Sequence, residues 1–286
     1  MRPYPLLFVL VFTASCGRRA HESVEAFRWQ QEIPPGTTIH LRTRSGRIEV
    51  VPADDRSARI TGSTHWIGRT DPIRFAWNQR GTDVYVCALW TRRGDCDEHN
   101  DGLRGPDDSW LDMFSLFKHR STNAVASIRV SLPSGVKVDA RSLNGSISMQ
   151  GATNGITART LNGSIEIEKS AGPVEAKGTN GSIEVALDSL APEDQVVVES
   201  VNGNATAVLP PSLEGEVQLS TVNGRVRSDF PVSTEGELSR NKLHGQIGKS
   251  SREVRLRTVN GNVSLLKQGE AQPEPAAATH DRGRRS

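Results

Sequence analysis

After Phe117 the one aromatic side chain in this 286-residue sequence is Phe230, and all five Trp lie at or before Trp110. Large rings are thus excluded from the interior of the second half. A sugar-stacking aromatic groove is disfavoured there for the same reason. Charge of one sign is also missing: the formal balance is +2, which gives composition no reason to invoke nucleic acid as a partner. The apolar run Leu6 to Phe12 is too short to span a bilayer. No Walker loop, dinucleotide fingerprint, HExxH or GxSxG occurs, and the seven His are scattered, none beside a candidate nucleophile. Nothing in the sequence calls for a cofactor or a catalytic residue.

What is present is a repeat. Asn-Gly recurs at Asn144, Asn154, Asn162, Asn180, Asn202, Asn223 and Asn260. Around most copies sits one template, read in SLNGSISM, TLNGSIEI, GTNGSIEV, SVNGNATA, TVNGRVRS and TVNGNVSL, with KLHGQIGK as a degraded copy from Lys242. From Asn144 to His244 the main copies are spaced by 18, 18, 22, 21 and 21 residues, and the next follows after 16. A period near 20 is the signature of a stacked, quasi-one-dimensional fold. Period-two alternation before each copy, as in Val138, Ala140 and Ser142 or Ile156, Ala158 and Thr160, reads as half-buried strand.

Two architectures compete for this pattern. Asn-Gly between alternating apolar residues is a strong signal for tight hairpins and hence an antiparallel meander. A β-solenoid instead turns a corner at each pair, with Asn tolerating and Gly freely adopting positive φ. The turns would be Asn144-Gly145, Asn162-Gly163, Asn180-Gly181, Asn202-Gly203, Asn223-Gly224 and Asn260-Gly261, with a second corner at Gly135, Gly155, Gly172, Gly215 and Gly236. Stacking alone explains why like side chains return in register. Ile147, Ile165, Ile183, Val226, Ile247 and Val263 would form one internal ladder, and the Asn amides another. The expected fold is all-β, a single-stranded β-helix with a thin, small-residue interior and no internal ligand cavity.

The first sixteen residues read as an export signal, with Arg2, the Leu6–Phe12 run and Thr13-Ala14-Ser15 before Cys16. The end of the run is similar to a bacterial lipobox, Thr13 standing where Leu is usual. This implies lipid attachment at Cys16 and a membrane as partner; ordinary cleavage is the alternative. Cys87 and Cys96 are then an even pair in an exported chain, a disulfide or two free thiols, while a zinc site lacks the spacing.

Residues 17–35 read as a tether and residues 268–286 as a disordered tail. Residues 36–133 form a less regular β part of the same domain as the repeat part, 134–267. The irregular part has strands at Asp83–Leu89 and Ser127–Leu132. Within it, DDSWLDMFSLFKHR places Trp110, Phe114 and Phe117 at helical spacing, between Asp107-Asp108 and Lys118-His119-Arg120. Such a helix would cap the stack's apolar end, or dock on a partner or membrane surface. Asp97, Asp101, Gly102 and Asp108 match part of a calcium-loop template, but His99 sits where an oxygen ligand is needed, and no metal site is expected.

The residue three before each Asn is Arg42, Arg141, Arg159, Lys177, Glu199, Ser220, Asn241 and Arg257, counting stand-ins. In a stack, Arg141, Arg159 and Lys177 would form a basic ladder, and Glu49, Glu166 and Glu184 a partial acidic one. The charges either pair across the corner or present a surface for an anionic glycan.

With its T-x-N-G-x-[IV]-x-[VI] template following a lipobox, the chain resembles the bacterial putative-adhesin β-strand-repeat family, related to heads of autotransporter-like adhesins. The resemblance spans roughly residues 36–267, including TRSGRIEVV and SIRVSLPSGVKV, and breaks at 242–248. It implies a non-enzymatic cell-envelope lipoprotein presenting a rigid surface to glycan, envelope or protein partners. The alternatives are a self-associating scaffold or envelope-stress accessory protein and, disfavoured by the thin interior, a carbohydrate-active β-helix enzyme.

Overall fold

The structure, a computed structural model, describes residues 20–67, 73–90, 96–97, 124–233 and 239–269. Among them the elements are all strands. The first are β1 (Ala20–Glu32), β2 (Thr38–Ser45), β3 (Ile48–Pro52), β4 (Ser57–Ile67), β5 (Arg74–Arg80), β6 (Asp83–Leu89) and β7 (Ala124–Leu132). The repeats give β8 (Lys137–Asn144), β9 (Ile147–Gln150), β10 (Ile156–Asn162), β11 (Ile165–Ala171), β12 (Val174–Asn180), β13 (Ile183–Ser189), β14 (Val196–Asn202) and β15 (Ala205–Leu209). Beyond them lie β16 (Gly215–Asn223), β17 (Val226–Ser228), β18 (Lys242–Ile247), β19 (Glu253–Asn260) and β20 (Val263–Lys267).

These strands make two mixed ten-stranded sheets. The first runs β1-β4-β7-β3-β9-β11-β13-β15-β20-β17 and the second β18-β16-β19-β14-β12-β10-β8-β2-β6-β5. Each Asn-Gly pair of the template carries the chain from the second sheet to the first, while Asn154-Gly155 lies on the return from β9 to β10, so that β8–β9, β10–β11, β12–β13 and β14–β15 are successive two-strand rungs. Their strands pair in parallel with the next rung, which rules out the antiparallel meander for this region.

The tightness of the Gly corner explains its sequence. A Cβ on Gly163 would lie 2.4 Å from the carbonyl oxygen of Gly145, and one on Gly181 2.2 Å from that of Gly163. Their φ angles are +150° and +146°, a backbone that L side chains rarely adopt. Gly145 lacks a positive φ, yet its Cβ would meet the Gly46 carbonyl oxygen at 1.9 Å. Close approach between rungs, more than backbone freedom, fixes glycine here. The corner Asn residues keep ordinary backbone angles, contrary to the expectation that they tolerate positive φ; among described non-Gly residues Lys169 alone is positive.

The Thr or Ser of the template has a matching role. Thr160 donates to the Gly145 carbonyl at 3.0 Å, Ser200 to Gly181 at 3.0 Å, Thr258 to Gly203 at 2.8 Å and Thr221 to Gly261 at 2.8 Å. Each hydroxyl is buried and satisfies a carbonyl of the neighbouring corner. The corner Asn side chains stack as expected. Asn162 donates to Asn144 and Asn180 to Asn162 at 2.8 Å each, Asn202 to Asn180 at 2.9 Å, Asn260 to Asn202 at 2.7 Å and Asn223 to Asn260 at 2.8 Å.

That last series reveals a reordering. The rung β19–β20 lies between β14–β15 and β16–β17, so the rung latest in sequence is inserted one place inside the end of the stack. The N-terminal side does the same: β2–β3 separates β6 and β7 from β8–β9. KLHGQIGK is not a degraded rung. It forms β18, an antiparallel edge partner of β16, because its apolar positions close the end rather than continue the stack. The inner ladder accordingly runs Ile128, Ile48, Ile147, Ile165, Ile183, Ala205, Val263, Val226, with Ala205 present and Ile247 absent. Facing it are Ala140, Ala158 and Ala176, all fully buried. Each buried Val or Ile contributes about 1.5–3 kcal/mol.

Residues 20–32, expected as a tether, form β1 and pair antiparallel with β4. At this end the two sheets are bridged by rings. Phe27 of β1 stacks on Phe75 of β5 at 5.5 Å, and Trp29 tilts against Trp77 at 5.9 Å. Gly62 makes room for Phe75, whose ring would lie 2.5 Å from any Cβ there. At the other end Phe230, Val232 and Leu243 pack on the core. The aromatics excluded from the rungs are thus used at the ends. The expected helix with Trp110, Phe114 and Phe117, the expected lipidation site Cys16, Gly236 and most of the C-terminal tail lie outside the described residues.

Candidate functional site

The outward face of the second sheet carries two columns beside the Asn corner. Nearest the corner stand Arg44, Leu143, Leu161, Thr179, Val201, Val259 and Val222. Two residues further back stand Arg42, Arg141, Arg159, Lys177, Glu199, Arg257 and Ser220, in register across β2, β8, β10, β12, β14, β19 and β16. The expected basic ladder therefore exists as a column of positions, but its members differ in what they can offer.

Arg42 is buried. It donates to the backbone carbonyls of Leu41 at 3.1 Å and Asp139 at 2.6 Å and pairs with the Asp139 carboxylate. Arg141 also spends its guanidinium on Asp139, at 3.2 Å. His40 completes this cluster, with Nδ1 2.9 Å from Asp139, Nε2 3.2 Å from Asp83 and its ring stacked on Tyr85 at 4.3 Å. Burial pushes the Asp139 carboxyl up, but the His40 hydrogen bond and the Arg42 and Arg141 charges outweigh it and hold it well below the usual carboxylate range. The cluster ties β2, β6 and β8 together on their outer face. Both His40 ring nitrogens are engaged by carboxylates, with no hydroxyl or thiol nucleophile between them, so the arrangement reads as structural.

Farther along, Arg159 pairs with Glu175 at 3.0 Å, and Lys177 with Glu175 at 2.8 Å and Glu199 at 3.3 Å. Burial raises the Glu175 carboxyl, and Lys177 and Arg159 more than reverse this, leaving it lowered. Burial likewise works against the Lys177 charge, and its two carboxylates restore it, leaving its pKa raised. The charges pair along the face, not across the corner as anticipated. Glu49 instead meets Arg129 on the first sheet, at 3.1 Å, while Glu166 and Glu184 stand exposed and in register there.

Between the two columns runs a groove of about 490 Å³, lined by Arg159, Lys177, Glu199, Arg257, Thr179, Val201 and Val259, with the backbone of Gly178. Arg257 has no ion pair among the described residues, and the Nε of Arg159 is buried without a hydrogen-bond partner. The sequence could have shown the apolar half of this groove, since the residue before each Asn is outward by alternation and aliphatic in five of the seven rungs. It could not show that Arg257 neighbours Glu199, which follows from the reordered rung.

Cys87 and Cys96 form a disulfide with Cα atoms 5.7 Å apart, packed with Tyr85 and Leu89. Asp97, the one described member of the calcium-like set, pairs with Arg80 at 3.0 Å. Among the described residues no His, Cys, Asp and Glu group could hold a metal ion, and no helix is long and apolar enough to cross a membrane.

An all-β chain of two mixed sheets, with aligned corners and a lateral groove, is the class that the geometry defines. Residues 128–266 match the family described as Toastrack DUF4097, a match that takes in the regular rungs and the reordered C-terminal one. Among solved structures, a "putative cell adhesion protein" from Clostridium sporogenes is similar at 14% identity and a TM-score of 0.44, covering 85% of this chain and 99% of its own. A "putative adhesin" from Bacteroides fragilis is similar at 9% identity and a TM-score of 0.38, covering 87% and 98%. No curated protein sequence matches the chain.

Proposed function

We propose that the chain is a non-catalytic, adhesin-like β-solenoid that holds the outer face of its second sheet toward an anionic partner at the bacterial cell envelope. Lipid at Cys16 would supply the anchor. The observation that carries this reading is the groove: a charged column in which Arg257 has no ion pair among the described residues, and an apolar column, held on strands whose corners are tied by the Asn amides and, at β10, β14, β19 and β16, by a hydroxyl bond to the neighbouring corner. A rigid backbone of this kind lowers the ordering cost of binding. Arg42 and Arg141 are occupied by Asp139, and Arg159 and Lys177 by Glu175 and Glu199, so within the column the binding cation is the exposed Arg257 and not the Arg141, Arg159 and Lys177 ladder.

The test is an array of uronate, sulfated and phosphorylated glycans probed with the mature chain and its Arg257→Glu variant. Saturable, salt-sensitive binding that the variant loses supports the reading; wild-type and variant binding alike, or no anionic ligand retained, counts against it. Mass spectrometry of the mature N-terminus checks the anchor, and an unmodified end beyond Cys16 sinks it.

A self-associating scaffold is the second reading, favoured by the N-terminal end of the stack. There Val24 on edge strand β1 is 51% exposed and Trp77 on edge strand β5 is 49% exposed. Sedimentation velocity across a hundredfold range of concentration separates the two: a constant monomer rules out the scaffold.

A further inference from the structure

Asn-Gly is the dipeptide at which a chain most readily loses a side-chain amide, because no Cβ shields the nitrogen that follows the Asn. That nitrogen gives its proton to solvent base and attacks Cγ of the Asn. The new N–Cγ bond closes a five-membered succinimide, the Cγ–Nδ2 bond breaks, and the amide leaves as ammonia with a proton from solvent. Water then opens the ring at either carbonyl, leaving Asp or isoaspartate. Seven Asn-Gly pairs occur in this chain, and the stack treats them differently.

At five corners the attacking nitrogen is occupied. Gly145 donates its N–H to the Asn162 carbonyl at 2.8 Å, Gly163 to Asn180, Gly181 to Asn202 and Gly203 to Asn260 at 2.9 Å each, and Gly261 to Asn223 at 3.0 Å. Each bond points to the next rung along the stack. The Asn of each of these five pairs also accepts at Oδ1 from the Asn of that next rung. Both reacting atoms are therefore held, and attack requires the corner to open first.

The rung β16–β17 ends this series. β17 is an edge of the first sheet, and beyond β16 lies only the antiparallel β18. The Gly224 N–H and the Asn223 Oδ1, which in the other rungs meet the next corner, bond to no described residue. Thr221 donates to the Asn241 carbonyl at 2.9 Å and Val226 to that of Arg240 at 3.2 Å, on either side of the corner, and neither bond involves Gly224. Residues 222–225 are all exposed, so solvent reaches the reacting atoms.

Two further pairs separate the contributions. At the other end of the ladder Asn144 donates its amide to no described residue, but the Gly145 N–H is bonded. At Asn154-Gly155 the glycine nitrogen bonds to no described residue, but Asn154 donates to the Gly135 carbonyl at 2.8 Å and both residues are half-buried.

We propose that Asn223 is a site of spontaneous deamidation in the folded protein, passing through the succinimide to Asp and isoaspartate while the five bonded corners keep their amides. The inserted rung decides which pair this is: in a stack built in sequence order, the unbonded end would fall to Asn260-Gly261. An Asp at 223 cannot donate to the Asn260 Oδ1, so the ladder loses its last bond.

The mature full chain is incubated at mildly alkaline pH, sampled over time, digested under acidic conditions and mapped by mass spectrometry. An isoaspartate methyltransferase marks the isoaspartate product. A parallel sample in urea gives the rate of each pair without the fold. In the folded chain Asn223 should react at least about tenfold faster than Asn144, Asn162, Asn180, Asn202 and Asn260, with comparable rates for all of them in urea. Asn154 should fall between. An intact Asn223, or equal rates at all pairs in the folded chain, overturns the proposal. So does Asn144 keeping pace with Asn223, which would remove the glycine N–H bond as the protection, and so does Asn154 or Asn260 leading the series.

Discussion

The middle of the stack and its two ends solve opposite problems with different residues. Between β8 and β15 each rung finds a near-copy of itself on either side, so identical side chains can be satisfied by repetition: Asn on Asn, hydroxyl on Gly carbonyl, Ile on Ile. At the ends no copy is available. There the chain abandons sequential order, adds the antiparallel strands β1, β4, β5 and β18, and brings in Phe27, Trp29, Phe75, Trp77 and Phe230. Repetition stabilises the interior of a stack but cannot terminate it; exposed strand edges at the ends need irregular cover.

The sharpest way to break the regular part is at a corner. Gly163→Ala places a methyl against the Gly145 backbone and demands a φ of +150° from alanine. A loss of more than about 4 kcal/mol in chemical denaturation is expected. Gly145→Ala should be comparably severe although its φ is ordinary, which separates close approach from backbone freedom.

At the aromatic end, Trp29→Ala should cost about 3–5 kcal/mol, since the ring is buried between the sheets. Its half-exposed partner Trp77 should cost less than half as much when replaced by Ala. Equal losses would mean that the rings do not close the end in the way described.

The Asp139 cluster joins the two regimes, tying β2 of the inserted N-terminal rung to β8. Because its folded pKa lies below the ordinary value of 3.8, its contribution is complete above that pH and is lost progressively as pH falls through it toward the folded value. Asp139→Asn should therefore cost about 3 kcal/mol near neutrality and show a shallower fall in stability below pH 4 than the wild type. Parallel pH profiles would remove Asp139 as the cause.

The smallest effect is expected on the amide ladder. Asn162→Ala removes two exposed hydrogen bonds and should cost about 1 kcal/mol. Asn162→Asp still accepts from Asn180 but cannot donate to Asn144, so its loss at neutral pH tests the direction of the ladder.

Much of the middle was legible because period-two alternation and a fixed corner act locally. Ala140, Ala158 and Ala176 align, and so do the six Asn. The ends were not legible for a physical reason. KLHGQIGK keeps the apolar spacing of a rung, and whether such a segment stacks in parallel or folds back antiparallel depends on which neighbour is already in place. The tether reading of residues 20–32 failed similarly, because β1 is a strand only once β4 offers it an edge. The basic ladder was visible as a column, but the carboxylate that silences Arg42 and Arg141 belongs to Asp139, two residues behind Arg141 on the same face, where spacing from Asn does not point. Arg257 was visible as a repeat position, and its place beside Glu199 depends on the inserted rung.

That insertion is the claim on which the groove rests, and paired cysteines test it directly. With Glu199 and Arg257 as strand neighbours, the double variant Glu199→Cys/Arg257→Cys should form a disulfide under mild oxidation, mapped by mass spectrometry beside the native Cys87–Cys96 bond. In Glu199→Cys/Ser220→Cys the two positions are separated by β19 and should stay unbridged. Efficient bridging in the second double variant and none in the first would mean that the rungs stack in sequence order, and the groove as described would not exist.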